Sequence, residues 1–235
     1  MKALVLAAGK GSRLAAVSGG LPKPLVPIGS TTPLEHNLAW VAPHARDGIW
    51  VNLHQGASVI RQRIGDAVAG VPVSWSHEPE LLGTAGAWKR LEAEWSGTSL
   101  VIYGDNFMDF DLRALLQTHR RGGTPMTIAV FDPTVHANTG IGGGRVVLEG
   151  SRVVQFVEGA SEGLVNAGAY CIEEELALRL PGGFSDFGRD VLPGLAAEGL
   201  LGGHMIEDAG YCLGLDTPER LALARELVHR QGARS

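Results

Sequence analysis

Short apolar runs alternate with stretches of helical periodicity along the first half of the chain. Strands are predicted at Lys2–Ala7, Ile49–Leu53, Pro72–Trp75 and Leu100–Tyr103. Helices are predicted from Thr32 to about Pro43 and over Ser58–Val68, Ala85–Trp95 and Asp111–Arg121. The first of these helices opens with a capping-box sequence, Thr32 to Glu35, with Pro33 at its first position. Because parallel strands need long crossover connections, the alternation predicts an α/β fold.

From Met126 onward the pattern changes to strands separated by glycine turns. The predicted strands are Met126–Phe131, Arg145–Leu148, Val153–Val157 and Gly168–Ile172, and helices follow at Ser185–Glu198 and Thr217–His229. The sequence contains no repeat and no linker, so we expect a single domain, residues 1–235, with a first part (1–125) and a second part (126–235). The dense glycine cluster Gly140–Gly144 is predicted to be a flexible loop.

Composition and charge exclude several classes of protein. With 235 residues, of which 45% are hydrophobic and 19% charged, the chain is long enough to bury one sizeable core. The net charge is −5 and the Lys and Arg residues are scattered, which argues against a nucleic-acid partner or a polybasic membrane surface. No stretch reaches the length of a membrane span, and the first apolar run is too short for a signal sequence.

The two cysteines, Cys171 and Cys212, lie far apart and outside any Cys-x-x-Cys. This spacing argues against a disulfide framework or a zinc knuckle and is typical of a reducing compartment. We therefore expect a cytoplasmic protein without membrane or nucleic-acid partners. The oligomeric state stays open.

A glycine-containing loop and two spaced cations follow the first strand. The segment reads Ala8-Gly9-Lys10-Gly11-Ser12-Arg13, and Pro22-Lys23-Pro24 comes shortly after it. Glycines let backbone N–H groups face an anion without a Cβ in the way, and Arg13 and Lys23 add positive charge. The position of a third dinucleotide-binding glycine is Leu14, and no Gly-Lys-Ser/Thr closes a Walker sequence. The loop therefore suits a triphosphate, and a dinucleotide-binding oxidoreductase is disfavoured.

This loop, with Arg13 and Lys23 about ten positions apart, resembles the signature loop of the nucleoside-diphosphate-sugar pyrophosphorylases, the sugar-1-phosphate nucleotidyltransferases. Four later segments are similar to that family's other motifs and occur in its order: His77–Ala87, Tyr103–Asn106, Val157–Glu158 and Asn166–Tyr170. The resemblance implies a Rossmann-like nucleotidyltransferase fold, with a mixed, mostly parallel sheet flanked by helices and a small β-rich sugar-side lobe. It also implies that residues 1–125 bind the nucleotide and residues 126–235 the sugar.

In the implied reaction, a sugar-1-phosphate oxygen attacks the α-phosphorus of a nucleoside triphosphate and pyrophosphate leaves, with Mg²⁺ as cofactor. The resemblance assigns three catalytic residues: Arg13 neutralises the leaving pyrophosphate, Lys23 bridges the two reacting phosphates, and Asp105 holds the metal. The nucleotide-binding residues that it implies are Leu6, Ala7, Ala8, Gly9, Gly11, Ser12, Arg13, Lys23, Gly83, Thr84 and Asp105.

On the sugar side, the resemblance implies Gly140, Glu158 and Asn166 as binding residues. The family's Glu-Lys-Pro is replaced here by Glu158-Gly159-Ala160. A cation that normally meets the sugar phosphate is therefore absent. Either Lys23 and a nearby residue such as Arg145 or Arg152 compensate, or the acceptor is held differently.

The family's second metal carboxylate position is Gly214 in this chain. Asp216, two positions on, resembles the Met-Asp-Thr form of glucose-1-phosphate cytidylyltransferases, so we expect Asp105 and Asp216 to hold the metal together. In the alternative interpretation, Asp216 or Thr217 only caps the last helix.

Three segments are similar to the mannose- and heptose-1-phosphate guanylyltransferase branch: Pro22–Pro24, Leu164–Gly168 and Phe184–Phe187. Two alternatives stay open. One is a uridylyl- or cytidylyltransferase for an amino-sugar or other sugar phosphate, and the other is a non-catalytic, nucleotide-sugar-binding regulatory paralogue. The retention of Arg13, Lys23 and Asp105 favours an enzyme.

Overall fold

The computed structural model describes residues 1–9, 19–140 and 143–232. The strands in this part of the chain are β1 (Ala3–Leu6), β2 (Ile49–Leu53), β3 (Ala67–Val68), β4 (Val71–His77), β5 (Ser99–Tyr103), β6 (Asn106–Asp109), β7 (Met126–Phe131), β8 (Ala137–Asn138), β9 (Arg145–Glu149), β10 (Arg152–Val157), β11 (Leu164–Ile172), β12 (Leu201–Met205) and β13 (Tyr211–Gly214). The α-helices are α1 (Pro33–Val41), α2 (Ala57–Ile64), α3 (Gly83–Arg90), α4 (Leu112–Gly122), α5 (Leu192–Ala197) and α6 (Pro218–Gly232). None of the helices described is both long and apolar enough to cross a bilayer.

Ten strands form one sheet in the order β3-β4-β2-β1-β5-β11-β7-β12-β10-β9. The neighbours from β4 to β5 are parallel, as are β7 and β12. The other neighbours are antiparallel, because β11 runs against both β5 and β7 and the β9–β10 hairpin closes the far end. The predicted mixed sheet is confirmed, but the expectation that it is mostly parallel is wrong. The run of consecutive parallel neighbours ends at β5, and β7–β12 is a separate parallel pair.

Helices cover both faces of this sheet. The sheet therefore lies between two hydrophobic cores. Along β1, Ala3 and Val5 face the core beneath α1, α2 and α4, whereas Leu4 and Leu6 face the core beneath α3 and α5. A strand buried on both faces is apolar throughout, which explains why the first strand was readable as a continuous run.

The boundaries of the helices follow local chemistry. The capping box at Thr32 and Glu35 is confirmed, since each side chain accepts from the other's backbone N–H. The helix predicted to reach Val68 ends instead at Ile64, because Gly65 adopts a φ of 75° and turns the chain into β3. The helix predicted at Ser185–Glu198 is a π-helical turn, Phe187–Val191, followed by α5.

A second, three-stranded sheet has the order β6-β13-β8. In its antiparallel ladder Asn106 lies opposite Gly214. Asp105 directly precedes β6 and Asp216 follows β13 by two residues. The small sheet therefore brings two carboxylates from distant parts of the chain to the carboxyl end of β5, where ligands of α/β sheets usually bind.

Candidate active site

The ammonium group of Lys23 lies between two carboxylates. Its Nζ donates to Asp105 Oδ2 at 2.7 Å and to Asp216 Oδ1 at 2.6 Å. The Lys23 side chain is 6% exposed, and those of Asp105 and Asp216 are 34% and 25% exposed. Burial alone lowers the pKa of Lys23, but the two negative charges outweigh burial, and its pKa is raised. Lys23 is therefore a fixed positive charge at neutral pH.

Two prolines hold the backbone around Lys23. Residues Lys23–Leu25 form a single 3₁₀ turn, in which the Leu25 N–H donates to Pro22 O at 2.8 Å. Because Pro22 and Pro24 each fix their own φ, the segment loses little conformational freedom when it orders. This local stiffness supports the placement of a buried cation.

Asp105 occupies the tight connection between β5 and β6. The preceding residue, Gly104, donates its N–H to Leu6 O at 2.9 Å. A Cβ at Gly104 would lie 2.8 Å from Leu6 O and 2.9 Å from Val5 Cγ1. Glycine is thus required for the turn to approach β1 closely enough to place Asp105 beside Lys23.

Within the described part of the chain, the side chain that caps the last helix is that of Thr217. Thr217 Oγ1 accepts from the Arg220 N–H at 3.3 Å, and Thr217 O accepts from the Leu221 N–H at 2.9 Å. The Asp216 carboxylate instead contacts Lys23 and, through Oδ2, Arg220 Nη1 at 3.4 Å. The capping alternative therefore applies to Thr217 alone, and the Asp216 carboxylate faces the site.

The oxygens Asp105 Oδ2 and Asp216 Oδ1 are no further apart than the sum of their distances to Lys23 Nζ, about 5.3 Å. Both are hard oxygen donors that already converge on one cation, so this pair fits the ligand preference of Mg²⁺. The described residues contain no group of three or more His, Cys, Asp or Glu side chains arranged to hold a metal ion. A magnesium ion here would take its remaining ligands from phosphates and water.

A cavity of ≈ 220 Å³ opens at the carboxyl ends of β1, β2 and β5. It is lined by Leu6, Ala8, Gly9, Asn52, Glu78, Leu81, Gly83, Thr84, Tyr103, Asp105 and Phe184. Six of the residues predicted to bind nucleotide are in this set. Ala7 is buried beside it, and its N–H donates to Asn52 Oδ1 at 2.7 Å. Gly11, Ser12 and Arg13 lie outside the described residues, and their roles stay predictions.

Glu78 and Asn52 line this cavity but were not among the predicted site residues. Glu78 Oε1 accepts from Asn52 Nδ2 at 2.8 Å, and Oε2 accepts from the Leu82 N–H at 3.0 Å. Both side chains are buried. Glu78 lies in the segment His77–Ala87, whose resemblance to a family motif could have identified it as a site residue. Asn52 lies in a predicted strand, β2, where nothing in the sequence indicates a binding role.

The first turn of α3 is hydrogen-bonded to a segment about a hundred residues away. Ser185 O accepts from the N–H groups of Ala85 and Gly86, both at 3.0 Å. Thr84 Oγ1 donates to Asp186 Oδ2 at 3.0 Å and accepts from the Phe187 N–H at 2.8 Å.

Gly83 lies directly against the backbone of Ser185. A Cβ at Gly83, whose φ is 72°, would lie 2.4 Å from Ser185 O. Gly83 therefore contacts the Ser185 backbone and also lines the first cavity.

A second cavity, of ≈ 240 Å³, adjoins the first and shares Tyr103 and Asp105 with it. Its lining residues are Tyr103, Asp105, Asn106, Gly143, Gly144, Glu158, Asn166, Gly168, Asp186, Gly188 and Asp216. The predicted sugar residues Glu158 and Asn166 are in this set, whereas Gly140 is not. Gly140 instead donates its N–H to Asn138 Oδ1 at 2.9 Å. Residues 141 and 142 of the predicted flexible loop lie outside the described residues.

Three glycines keep this second cavity open. A Cβ at Gly144 or Gly188 would lie 2.9 Å or 2.6 Å from Glu158 Oε2, and a Cβ at Gly168 would lie 2.9 Å from the Tyr103 ring. Burial and the negative charge of Asp186 raise the pKa of Glu158. The cavity is therefore polar, acidic and narrow around Glu158.

Among the described residues, neither Arg145 nor Arg152 lines the second cavity. Arg145 pairs with Val165, the neighbour of Asn166 in β11, so its side chain lies on the opposite sheet face from Asn166. Arg152 begins β10, remote from Glu158, and its guanidinium donates to Gly199 O. Of the two alternatives for the missing cation, these positions favour an acceptor that is held differently, and the choice between them stays a prediction.

The chain matches the family model described as nucleotidyl transferase over residues 2–211. It is 31% identical to a UTP-glucose-1-phosphate uridylyltransferase of Synechocystis sp., over 85% of this chain and 56% of that protein. It is 30% identical to a mannose-1-phosphate guanylyltransferase of Mycobacterium tuberculosis (92% of this chain, 61% of that protein). It is also 30% identical to a D-glycero-alpha-D-manno-heptose 1-phosphate guanylyltransferase of Aneurinibacillus thermoaerophilus (72% and 74%). The chain thus spans less than two thirds of the first two relatives.

Two solved structures share the fold. HddC from Yersinia pseudotuberculosis superposes with a TM-score of 0.78 at 24% identity, covering 97% of this chain and 99% of that chain. A putative glucose-1-phosphate thymidylyltransferase from Bacillus anthracis gives a TM-score of 0.83 at 18% identity, covering 97% and 94%. The likeness confirms the predicted fold class.

Proposed function

Because the chain belongs to the nucleotidyl transferase family, we propose that it transfers a nucleotidyl group from a nucleoside triphosphate to a sugar-1-phosphate and releases pyrophosphate. The observation that carries this proposal is the position of Lys23. Its ammonium contacts Asp105, which lines both cavities, and Asp216, which lines the second. A fixed cation therefore lies where a triphosphate in the first cavity would meet a phosphate in the second.

The chemistry requires charge neutralisation and alignment more than covalent catalysis. Both reactants are anionic, so their phosphates repel each other unless cations lie between them. Lys23 provides one such charge on a stiff turn, and we propose that Arg13 provides another at the leaving pyrophosphate. Lys23 then orients the acceptor phosphate for in-line attack on the α-phosphorus.

We propose Mg²⁺ as the cofactor, held by Asp105 and Asp216. When bound, it neutralises charge on the phosphate oxygens. The two carboxylates supply part of its coordination shell and bind it without nucleotide, and the phosphates of the triphosphate raise its affinity further.

We further propose that the base is guanine. A carboxylate can only accept hydrogen bonds, and each oxygen of Glu78 has one hydrogen-bond partner and further lone pairs. Guanine presents two neighbouring donors, N1–H and the N2 amino group. Cytosine and adenine pair a donor with an acceptor that a carboxylate repels, and uracil has a single imide donor. Uridylyl transfer is the second candidate, since one relative bears that name.

The acceptor cavity favours a neutral sugar rich in hydroxyl donors. Glu158, Asp186 and Asn166 offer acceptor oxygens there, and a sugar that carries its own carboxylate would be repelled. An amino-sugar phosphate is the second candidate, because the same carboxylates attract an ammonium group. The described cysteines are free and buried, and we propose that the protein acts in the cytoplasm.

A matrix of five nucleoside triphosphates against mannose-, glucose-, heptose- and glucosamine-1-phosphate, read out as pyrophosphate release, tests these proposals. We expect the fastest release with GTP and a neutral sugar phosphate, and release slowed by about 10²- to 10³-fold in the Lys23→Ala variant. Faster release with UTP would overturn the base assignment. No release with any pair, combined with binding of a nucleotide sugar by calorimetry, would support the regulatory paralogue instead.

A further inference from the structure

We propose that Asn37 is a positioning residue that fixes Asp105 for metal binding; this inference rests on the proposed function. Asn37 is on α1, far in sequence from Asp105, and is 0% exposed. Nothing in its sequence context distinguishes it from a core residue. Its side-chain contacts, however, are with the backbone on both sides of Asp105.

The amide of Asn37 spans the connection that carries Asp105. Asn37 Nδ2 donates to Asn106 O at 2.7 Å and to Tyr103 O at 3.3 Å. These carbonyls flank the two residues Gly104 and Asp105. A single side-chain amide with two N–H donors can hold both carbonyls at once, which a hydroxyl, with one donor, cannot.

Two neighbours of Asn37 on α1 make similar hydrogen bonds, so the contact of Asn37 belongs to a row of side chains that join α1 to the β6 segment. His36 Nε2 donates to Met108 O at 2.6 Å, and Trp40 Nε1 donates to Phe110 O at 3.2 Å. Side chains of α1 therefore hold β6 along one edge, while β13 pairs with its other edge. Among these three contacts, only that of Asn37 reaches the residues next to Asp105.

The amide oxygen of Asn37 indicates that this side chain is present for its N–H donors. Asn37 Oδ1 is buried and has no hydrogen-bond partner among the described residues. An unpaired buried acceptor is unfavourable, and a leucine of similar size would avoid it. A leucine would, however, leave Tyr103 O and Asn106 O without the donors of Asn37, so the amide is kept for its two N–H groups.

The consequence concerns the direction of the Asp105 carboxylate. Mg²⁺ requires nearly ideal octahedral geometry, so a small rotation of one ligand weakens binding. Leu6 O on one side and Asn37 on the other hold the backbone that carries Asp105, and Lys23 Nζ contacts its carboxylate, so the ligand is positioned before the metal arrives. Loss of the Asn37 donors releases one of the two backbone restraints.

The test compares Asn37→Leu with Trp40→Phe, which removes a neighbouring α1–β6 hydrogen bond further from Asp105. Mn²⁺ alone is the probe, and its binding is followed by the loss of the free-ion electron paramagnetic resonance signal. We expect the Kd for Mn²⁺ to rise at least about tenfold in Asn37→Leu, the scale typical of residues that orient metal ligands. Trp40→Phe is expected to keep the parental Kd, and Asp105→Asn sets the level for a lost ligand.

A second variant, Asn37→Ala, keeps the test informative if Asn37→Leu does not fold. A parental Kd in a folded Asn37 variant, or an equal rise in Trp40→Phe, would overturn the inference. The assay needs no sugar phosphate, so its outcome is separate from that of the proposed function. If the parent releases no pyrophosphate with any substrate pair but the Asn37 effect holds, nucleotidyl transfer fails and the positioning role stands.

Discussion

Asn106 pairs with Gly214 across β6 and β13, and this register determines how close Asp105 comes to Asp216. A shift of two residues along β13 would carry Asp216 out of reach of Lys23, since neighbouring residues of one strand face are about 7 Å apart. The residue at the family's usual carboxylate position, Gly214, is itself in the ladder. The carboxylate two residues later reaches the site because the chain leaves the strand there.

The role of Lys23 predicts a large loss of turnover in Lys23→Ala. Removing one preorganised charge from a phosphoryl-transfer site lowers kcat by about 10²- to 10³-fold. The variant should still fold, because the ammonium group contributes charge to the site and no apolar packing to the core. Lys2→Ala, which removes a surface ion pair with Glu94, is the matched control. Near-parental kcat in Lys23→Ala would remove this residue from the mechanism.

Substitutions of Asp216 should weaken metal binding, whereas substitution of its neighbour Thr217 should weaken only the cap of α6. We expect Asp216→Asn and Asp216→Ser to raise the Mg²⁺ concentration needed for half-maximal activity. Thr217→Ala should leave that concentration unchanged and lower the free energy of unfolding by about 1 kcal/mol, the usual effect of losing an N-cap. The measurements are magnesium titrations of pyrophosphate release and urea denaturation. Parental magnesium dependence in both Asp216 variants would leave Asp105 to act with the phosphates alone.

The buried carboxylate of Glu78 should control the choice of base. In Glu78→Gln the amide presents a donor where the carboxylate presented an acceptor, so we expect kcat/KM for GTP to fall at least about tenfold. The fall for UTP should be smaller. Glu80→Gln, an exposed change in the same loop, serves as control. Equal losses for GTP and UTP would show that Glu78 only supports the loop through Leu82.

A side chain at Gly83 should destabilise the protein more than one at Gly97, because only the Cβ at Gly83 would overlap another residue. Gly97 has a similar φ of 70° but no atom within 4 Å of its would-be Cβ. We expect Gly97→Ala to lower the free energy of unfolding by about 1–2 kcal/mol through backbone strain alone. Gly83→Ala should cost about 1–3 kcal/mol more, because the new Cβ overlaps Ser185 O. If Gly83→Ala and Gly97→Ala lower the free energy of unfolding by the same amount, the first turn of α3 can move away from Ser185.

Gly188 should report on the acceptor cavity without affecting the nucleotide. A Cβ at this position lies 2.6 Å from Glu158 Oε2, so Gly188→Ala displaces the carboxylate proposed to hold sugar hydroxyls. We expect the KM for the sugar phosphate to rise at least about tenfold, on the scale of one lost charged hydrogen bond, with the KM for the triphosphate unchanged. Gly194→Ala, on α5 with no nearby atom, is the control. A parallel rise in both KM values would place Gly188 in a shared hinge and not in a sugar subsite.

Local sequence patterns determined those strands, helix caps and turns that are stabilised by residues close in sequence. The apolar run of β1, the capping box at Thr32 and the proline-flanked Lys23 were readable because periodicity, capping and proline stiffness act within a few positions. The short strands β6, β8 and β13 were not, because runs of two to four residues carry little periodicity and are stabilised mainly by their partners.

Tertiary structure alone decided which functional groups meet. That Arg145 lies on the opposite sheet face from Asn166 follows from strand register, which alternates faces with every residue. That Asp216 faces Lys23 while Thr217 caps α6 depends on the path of the chain between β13 and α6. The roles of Asn37 and Asn52 were likewise hidden, since a buried asparagine in an apolar stretch is read as core. Its meaning depends on which distant carbonyl or carboxylate the fold brings to its amide.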